Sequence, residues 1–209
     1  MEQNTMCIIV YKPAGTKISK KDLANMWNTN PHGAGIAVPG KKKIEVIKGI
    51  MKLNEFEYLL DQCDNTAIII HMRIATHGSI SPANTHPFSC GENRVLFHNG
   101  ILEHFGIYGT KEESMSDSRH LADDLSLLDT PATKRILNTI ADATRNKFVM
   151  VQDNIITFHG DFTTYKNLRC SNLHFIPVTT NYKTTKFSWN DWNTQGKTWR
   201  DVNGKWWKE

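Results

Sequence analysis

Two segments of the sequence concentrate side chains that can bind and polarise a small polar substrate. The first, residues 71–78, reads His-Met-Arg-Ile-Ala-Thr-His-Gly, and the second, residues 97–100, reads Phe-His-Asn-Gly. An arginine such as Arg73, in a loop with threonine and histidine, suits carboxylate recognition because its planar guanidinium is a bidentate fork. The Asn99-Gly100 pair offers a side-chain amide and an unhindered backbone N–H, which are two donors for an oxyanion. The residues therefore indicate a site that binds a carboxylate and stabilises negative charge.

Cys7 is a candidate nucleophile at the start of an apolar run. Taken alone, a cysteine in that position is ordinarily a core residue, since cysteine is among the most buried residue types. Cys63, Cys90 and Cys170 are assigned to that structural role. The four cysteines lie far apart and form no C-x-x-C pair, which argues against a zinc ribbon or a small disulfide scaffold.

Hydrophobic periodicity and turn residues predict the elements that position these groups. Strands are predicted over residues 7–11, 34–38, 43–48, 66–73, 94–98, 147–152 and 154–158, with a further strand region over 167–175. Helices are predicted from a capping-box-like Ser19, from a capping Asn54, over 117–128 and over 131–146 with Pro131 near the start. This order predicts an α+β protein with sheets packed between helical layers.

Five short motifs, in order, resemble the glutaminase domain of class II glutamine amidotransferases. They are Met6-Cys7, R-x-A-T-H-G from Arg73, N-T-H-P-F from Asn84, H-N-G from His98 and S-D-S from Ser116. Their order and spacing are similar to that family from Cys7 to about Phe175. The K-P-A-G from Lys12 and the N-P-x-G-A-G from Asn30 resemble its small stand-alone members, many of them phage-encoded. The resemblance implies a four-layer αββα sandwich of the N-terminal-nucleophile hydrolase type.

The resemblance also implies a mechanism. Cys7, at the mature N-terminus, is the nucleophile, and its own free α-amine, with a pKa of ~7.7–8.0, helps to deprotonate the thiol. The thiolate attacks the side-chain amide carbon of glutamine while Asn99 and the Gly100 N–H hold the oxyanion. Ammonia leaves, and water hydrolyses the glutamyl thioester. This route needs no metal and no other cofactor.

For L-glutamine, the substrate, the resemblance implies that Arg73 binds the α-carboxylate with help from Thr76 and His77. Asp117 is then expected to bind the α-ammonium, and His86 to shape the pocket. Each has a simpler alternative: Arg73 in a surface salt bridge, Asn99-Gly100 as a hairpin turn, Asp117 as a helix N-cap. The other histidines are assigned structural or solvent-facing roles: His71, His104, His120, His159 and His174.

Six residues precede Cys7, so the resemblance requires that they be absent from the active form. Translation from Met6 followed by removal of that methionine would expose the Cys7 amine, as would loss of a short propeptide. Two positions depart from the family pattern. His32 stands where related proteins often carry an acidic residue, and Thr29 stands where larger members have an arginine.

The sequence divides into a predicted glutaminase domain over residues 7–177 and a Trp- and Lys-rich appendage over 178–209. Aromatic and basic residues in the appendage could stack on single-stranded nucleic acid or anchor a partner protein. Folding back over the domain is the favoured interpretation, and a nucleic-acid partner is not expected.

The predicted function is hydrolysis of the glutamine amide, with ammonia released for a separate acceptor enzyme. A plain glutaminase, or a hydrolase of another γ-glutamyl amide, is the nearest alternative. A catalytically silent protein on the same fold, binding glutamine or a partner, is the alternative from another class. The formal charge is +4, no stretch reaches the ~20 apolar residues of a membrane helix, and no secretory signal is present. A cytoplasmic location is expected, in the host cytoplasm if the protein is phage-encoded.

Overall fold

The computed structural model describes residues 6–76, 78–102 and 115–177, together with two short strands at 198–200 and 206–208. The chain divides into a larger unit, Met1–Ile176, and a smaller one, Pro177–Glu209. The described strands of the larger unit are β1 (Ile8–Lys12), β2 (Ala34–Val38), β3 (Glu45–Ile50), β4 (Ile68–Met72), β5 (Phe88–Ser89), β6 (Arg94–Asn99), β7 (Lys147–Gln152), β8 (Ile155–His159), β9 (Thr163–Tyr165) and β10 (Leu168–Cys170). Its described helices are α1 (Lys20–Thr29), α2 (Leu53–Asp61), α3 (Asp117–Ser126) and α4 (Thr130–Ala143), with a 3-10 turn at Pro82–Asn84.

These strands form two sheets in which every neighbouring pair is antiparallel. The six-stranded sheet has the order β3-β2-β4-β1-β10-β9, and the four-stranded sheet has the order β5-β6-β7-β8. β1 is thus an interior strand, held by β4 on one side and β10 on the other. The prediction of antiparallel sheets combined with helices is confirmed.

Three clusters of buried apolar side chains pack the larger unit. Alternate residues of a strand point to opposite faces of its sheet, so Ile8 and Val10 pack with α1 and α2 while Ile9 faces the other way. The cluster around Ile9 includes side chains of both sheets, among them Phe97 and Val149. A further cluster joins the opposite face of the four-stranded sheet to α3 and α4.

Capping residues predict where α1 and α2 begin. Ser19 caps α1 as predicted: its hydroxyl accepts from the Asp22 N–H at 3.1 Å and donates to the Asp22 carboxylate at 2.7 Å. The prediction that Asn54 caps α2 is wrong. The helix begins at Leu53, so Asn54 lies inside its first turn, and the extended residue before it, Lys52, makes no side-chain capping bond.

α4 begins as predicted but ends earlier. The Asp129 carboxylate accepts from the Ala132 N–H at 2.7 Å, and Pro131 lies in the first turn, where its missing N–H costs nothing. The helix ends at Ala143, not at Asn146. Asn146 lies outside the helix, and its side-chain nitrogen donates to the Ile101 carbonyl at 3.1 Å.

The strand predictions hold for β1 to β4 and β6 to β8 within two residues, including the hairpin at Asp153, which has a positive φ of 53°. β5 and β9 were not predicted. The predicted strand region 167–175 contributes only β10. Lys166 and Asn167 join β9 to β10 with φ of 47° and 66°, a tight turn for which the sequence lacks the usual Asn-Gly signal.

The smaller unit contains two described strands, β11 (Thr198–Arg200) and β12 (Trp206–Lys208), which pair antiparallel with Trp199 opposite Trp207. The rest of the predicted appendage, 178–197 and 201–205 with Glu209, lies outside the described residues. Within the part of the chain that the structure describes, no helix is long and apolar enough to cross a membrane.

The cluster shared by the two sheets should dominate stability. Phe97 is fully buried there, so Phe97→Ala is expected to lower the free energy of unfolding by about 3–5 kcal/mol in urea titrations. Leu127 is 85% exposed, and Leu127→Ala is the control, expected to stay within about 0.5 kcal/mol of the parent. Equal losses for the two variants would contradict this packing.

Candidate active site

Cys7 lies directly before β1 and is held by two segments. Its thiol is 3.3 Å from both the N–H and the carbonyl oxygen of Ile74, in the loop that leaves β4. Its own carbonyl accepts a hydrogen bond of 2.8 Å from the Asn172 side chain, which follows β10. Both strands that flank β1 therefore contribute a contact to the candidate nucleophile.

The thiol is neutral at physiological pH in the chain that carries Met6. Burial raises the pKa of Cys7 from 9.0 to about 11, against the smaller opposing effects of the Ile74 bond and of the Arg73 charge. The Asp117 carboxylate raises it further.

Arg73 directly follows β4 and is 3% exposed, so it is not the solvated surface arginine of the simpler alternative. Its guanidinium donates to the Ser79 carbonyl at 2.8 Å and to the Gly78 carbonyl at 3.3 Å. Its backbone is fixed as well, because its N–H donates to the Gly33 carbonyl at 2.8 Å. A cation is thus held in position by the loop that follows β4.

The other members of that loop differ in their surroundings. Thr76 is exposed, and His77 lies outside the described residues. His32 supports the loop, since its Nδ1 accepts from the Ala75 N–H at 2.8 Å. Thr29, the second departure from the family pattern, has its hydroxyl bonded to the Asn25 and Met26 carbonyls in the last turn of α1.

Asp117 is the first residue of α3 and is 5% exposed. One carboxylate oxygen accepts from the Leu102 N–H at 2.9 Å and the other from the Ser118 N–H at 2.7 Å. The N-cap position belongs to Ser116, whose side chain makes no capping bond. Asp117 therefore ties the start of α3 to the segment that follows Asn99 and Gly100.

Asn99 ends β6 and is 1% exposed; its side-chain nitrogen is 2.7 Å from the Ser171 hydroxyl oxygen. Gly100 has a φ of 148°, and a Cβ built there would collide with the Asn146 side chain. Only glycine fits this position, which keeps the backbone N–H accessible. The Asn146 amide oxygen in turn accepts a hydrogen bond of 2.8 Å from Nε2 of the His98 ring, which holds Asn146 against the turn.

His86 does not lie on an open pocket wall; it is 3% exposed. Its ring stacks on His71 at a centroid distance of 4.0 Å and meets Phe88 edge-on at 4.6 Å. Neither of its ring nitrogens has a hydrogen-bond partner among the described residues. Burial lowers the pKa of His71 to about 3 and that of His86 well below its ordinary value, so both rings are neutral.

The motifs did not identify several residues that build this site. Ser171, Asn172 and Asn146 each hold a predicted site residue or its neighbour, and nothing in their local sequence marks them. A cavity of about 590 Å³ opens beside Gly100, between Met6 and the C-terminal end of α4. The described residues include no group of three or more His, Cys, Asp or Glu side chains able to hold a metal ion.

No family model matches the chain. Part of it is similar to glutamine–fructose-6-phosphate aminotransferases (isomerizing). The identity is 38% over 99 residues with the protein of Streptococcus agalactiae serotype V, covering 46% of this chain and 16% of that protein. It is 37% over 95 residues with that of Bacteroides thetaiotaomicron, covering 44% and 16%. The chain thus matches only about a sixth of the length of these curated relatives.

A solved structure shares the fold. It is the glutamine phosphoribosylpyrophosphate amidotransferase from B. subtilis, complexed with ADP and GMP, with a TM-score of 0.52 and 18% identity over 79% of this chain and 41% of that one. At this identity the likeness shows the fold alone. The chain is therefore related in sequence to one glutamine-named transferase and in fold to another.

The state of the thiol can be measured directly. A pKa of about 11 in place of 9.0 corresponds to a roughly 100-fold smaller thiolate fraction, so Cys7 in the Met6-containing chain should react slowly with iodoacetamide near neutral pH. Peptide mass spectrometry of quenched samples gives the rate, and the denatured chain is the reference. Alkylation of folded Cys7 as fast as in the denatured chain would contradict this burial.

The neutral histidines should make the fold acid-sensitive. The pKa of His86 is below 6.5 in the folded protein, so its contribution to stability is present above about pH 6.5 and is lost as the pH falls below that value. Each such histidine can contribute up to about 1.4 kcal/mol per pH unit to the slope. His86→Phe should flatten the decline in unfolding free energy between about pH 6.5 and 5.

Urea titrations at several pH values measure this slope. The exposed His174, replaced in the same way, is the control for loss of an imidazole. A decline as steep in His86→Phe as in the parent protein would show that His86 takes up a proton in the folded state.

Proposed function

We propose that residues 7–177 form a class II glutamine amidotransferase domain, a cysteine N-terminal-nucleophile hydrolase that frees ammonia from glutamine. The observation that carries the proposal is the convergence of a thiol, a buried cation and a buried anion. The register of β1 and β4 brings Cys7 beside Arg73, Asp117 holds the segment that follows Gly100, and Asn99 is tethered to the same segment as Cys7. The similarity to relatives named as glutamine-using transferases supports it.

The reaction begins when Cys7 is the first residue of the chain. Its α-amine accepts the thiol proton, and the thiolate attacks the side-chain amide carbon of glutamine. Asn99 and the Gly100 N–H donate to the resulting oxyanion. The intermediate then expels ammonia, which takes a proton from the α-ammonium of Cys7, and leaves a glutamyl thioester. Water attacks that thioester, with the amine again as base, and releases glutamate and the free thiol.

Substrate binding uses the two buried charges. Arg73 pairs with the α-carboxylate of glutamine, assisted by Thr76 and His77, and Asp117 pairs with the α-ammonium. The low exposure of both charges, 3% and 5%, supports this assignment, because ion pairs in a water-poor site are little screened. His86, which is buried against His71, supports the pocket from below without transferring protons.

We extend the proposal to the architecture: a four-layer αββα sandwich of the N-terminal-nucleophile hydrolase type, with residues 178–209 as an appendage. Three apolar clusters support it. One joins α1 and α2 to the six-stranded sheet, one includes side chains of both sheets, and one joins the four-stranded sheet to α3 and α4. We propose also that the protein resembles phage-type members. The K-P-A-G and N-P-x-G-A-G motifs at Lys12 and Asn30 are the support.

The released ammonia is proposed to serve an acceptor enzyme on a separate polypeptide. A cytoplasmic location is proposed on the four free cysteines, which suit a reducing compartment.

One observation favours a second candidate, a catalytically silent protein on the same fold. While Met6 is attached, the Cys7 amine is part of a peptide bond and the thiol has a pKa of about 11. Such a chain would bind glutamine or a partner without turnover. The mature N-terminus discriminates between the two candidates.

The test compares the intact chain with a form that begins at Cys7, each verified by intact mass. The Cys7-first form is expected to release ammonia from glutamine and the intact chain to be nearly inert. In the Cys7-first form, Cys7→Ala should abolish release and Asn99→Ala should lower kcat by about 10²–10³-fold, or ~2.7–4 kcal/mol. Cys63→Ala, which alters a half-buried cysteine packed against the core near α2, is the matched control with unchanged activity.

Full activity of the Cys7→Ala variant would refute the nucleophile assignment. A folded, mass-verified Cys7-first protein without turnover would favour the silent candidate.

A further inference from the structure

The segment that follows β10 contacts both halves of the candidate catalytic machinery. The Ser171 hydroxyl lies 2.7 Å from the Asn99 side chain, and the Asn172 side chain donates to the Cys7 carbonyl at 2.8 Å. Two adjacent residues thereby join the nucleophile on β1 to the oxyanion donor on β6, which belongs to the other sheet.

We propose that Ser171 is a positioning residue that fixes which end of the Asn99 amide faces the developing oxyanion, an inference that rests on the proposed function. The carboxamide of asparagine has an oxygen and a nitrogen of nearly identical shape. Only the nitrogen end stabilises an oxyanion, because the oxygen end would repel it. A catalytic asparagine therefore needs a neighbour that can distinguish the two ends.

Ser171 is itself held rigidly. Its side chain is 1% exposed, and its hydroxyl oxygen accepts from the Ile9 N–H at 2.9 Å. Its backbone N–H donates to the Ile9 carbonyl at 2.9 Å, and its carbonyl accepts from Lys147 at 2.5 Å. With one lone pair taken by Ile9, the hydroxyl has one proton to donate and one lone pair left.

The two orientations of Asn99 differ in how many buried groups they satisfy. The structure places the amide nitrogen toward Ser171; in that orientation neither the serine proton nor the Asn99 oxygen has a hydrogen-bond partner among the described residues. With the amide oxygen toward Ser171, the hydroxyl donates to it, so the serine proton and the Asn99 oxygen are both paired, and only the Asn99 N–H groups lack an acceptor among the described residues. The first orientation leaves both the Asn99 oxygen and the serine proton unpaired, so Ser171 favours the second orientation.

This orientation has a catalytic consequence. The two N–H groups of Asn99 then point away from Ser171, into the position that the unpartnered oxygen occupies in the alternative. They are available to a negatively charged oxygen and need not rotate during the reaction. Preorganised donors of this kind stabilise the transition state more than the bound substrate, so loss of the orienting hydroxyl should lower kcat and leave KM nearly unchanged.

The kinetic experiment uses the Cys7-first form of the full chain. Ser171→Ala is expected to lower kcat by roughly 10–100-fold with less than about a twofold change in KM. Thr133→Val is the matched control, since Thr133 is also fully buried and its hydroxyl donates to the Asp129 carbonyl at 2.8 Å, far along the chain from the site. Thermal unfolding verifies that each variant is folded.

A double-mutant cycle distinguishes a role of Ser171 in positioning Asn99 from a general loss of structure at the site. If Ser171 acts through Asn99, Ser171→Ala should have no further effect on kcat in a protein that already carries Asn99→Ala. Ser171→Thr, which keeps a hydroxyl, should recover most of the activity. The proposal would be overturned if the double variant lost kcat by the product of the two single effects, or if Ser171→Ala left kcat unchanged.

The orientation of the Asn99 amide can also be determined without an activity measurement, by NMR of the intact chain. With the oxygen toward Ser171, the Asn99 side-chain amide protons should show no nuclear Overhauser effect to the Ser171 β-protons. A strong effect would overturn the proposal even in an active enzyme. Conversely, the expected spectrum in a Cys7-first protein that releases no ammonia would leave the orientation intact and place the failure on the proposed function.

Discussion

The antiparallel pairing of β1 with β4 on one side and β10 on the other is the constraint on which the candidate site depends. Ile8 lies opposite Met72, so the next positions outward bring Cys7 beside Arg73. Val10 lies opposite Cys170, so continuing that register brings Ser171 to Ile9. A shift of either strand by one residue would turn these side chains to the opposite face of the sheet. The registers are fixed because Ile8, Val10 and Ile70 fill one apolar cluster while Ile9 fills another.

The second sheet completes the site through the packing between the sheets. Phe97 is buried among side chains of both sheets, and two residues later the same strand ends in Asn99. The Gly100 turn is then closed by Asn146 and continues to Leu102, whose N–H is held by Asp117. The groups proposed to bind charge thus come from separate elements, but each is anchored by a backbone hydrogen bond or a buried neighbour. The neutral His71–His86 pair adds bulk beneath them without adding a competing cation.

The parts of this arrangement that depend on neighbouring residues, namely most strands and two helix starts, could be predicted from the sequence. Short apolar runs bounded by turn residues predicted β1 to β4 and the β7–β8 hairpin, and Ser19 and Pro131 marked helix starts because capping acts within one turn. The prediction for Asn54 was wrong because a residue that is favourable as a cap also fits inside the first turn of a helix. Strand β9 was missed because Lys166-Asn167 is an uncommon turn pair. The residues that brace the site could not be found this way. Ser171 meets Ile9 and Asn99 across 162 and 72 residues of chain, and Asn172 meets Cys7 across 165, so no local signal marks them.

The central claim, that Cys7 is a nucleophile for glutamine-like amides once it is the first residue, is tested most directly by covalent capture. A mass-verified Cys7-first protein would be incubated with a diazoketone analogue of glutamine, and the adduct located by peptide mass spectrometry. The account predicts one adduct per chain, on Cys7, with protection by excess L-glutamine and none in the chain that retains Met6. A folded Cys7-first protein that stays unmodified, or that is modified elsewhere without protection by glutamine, would contradict it.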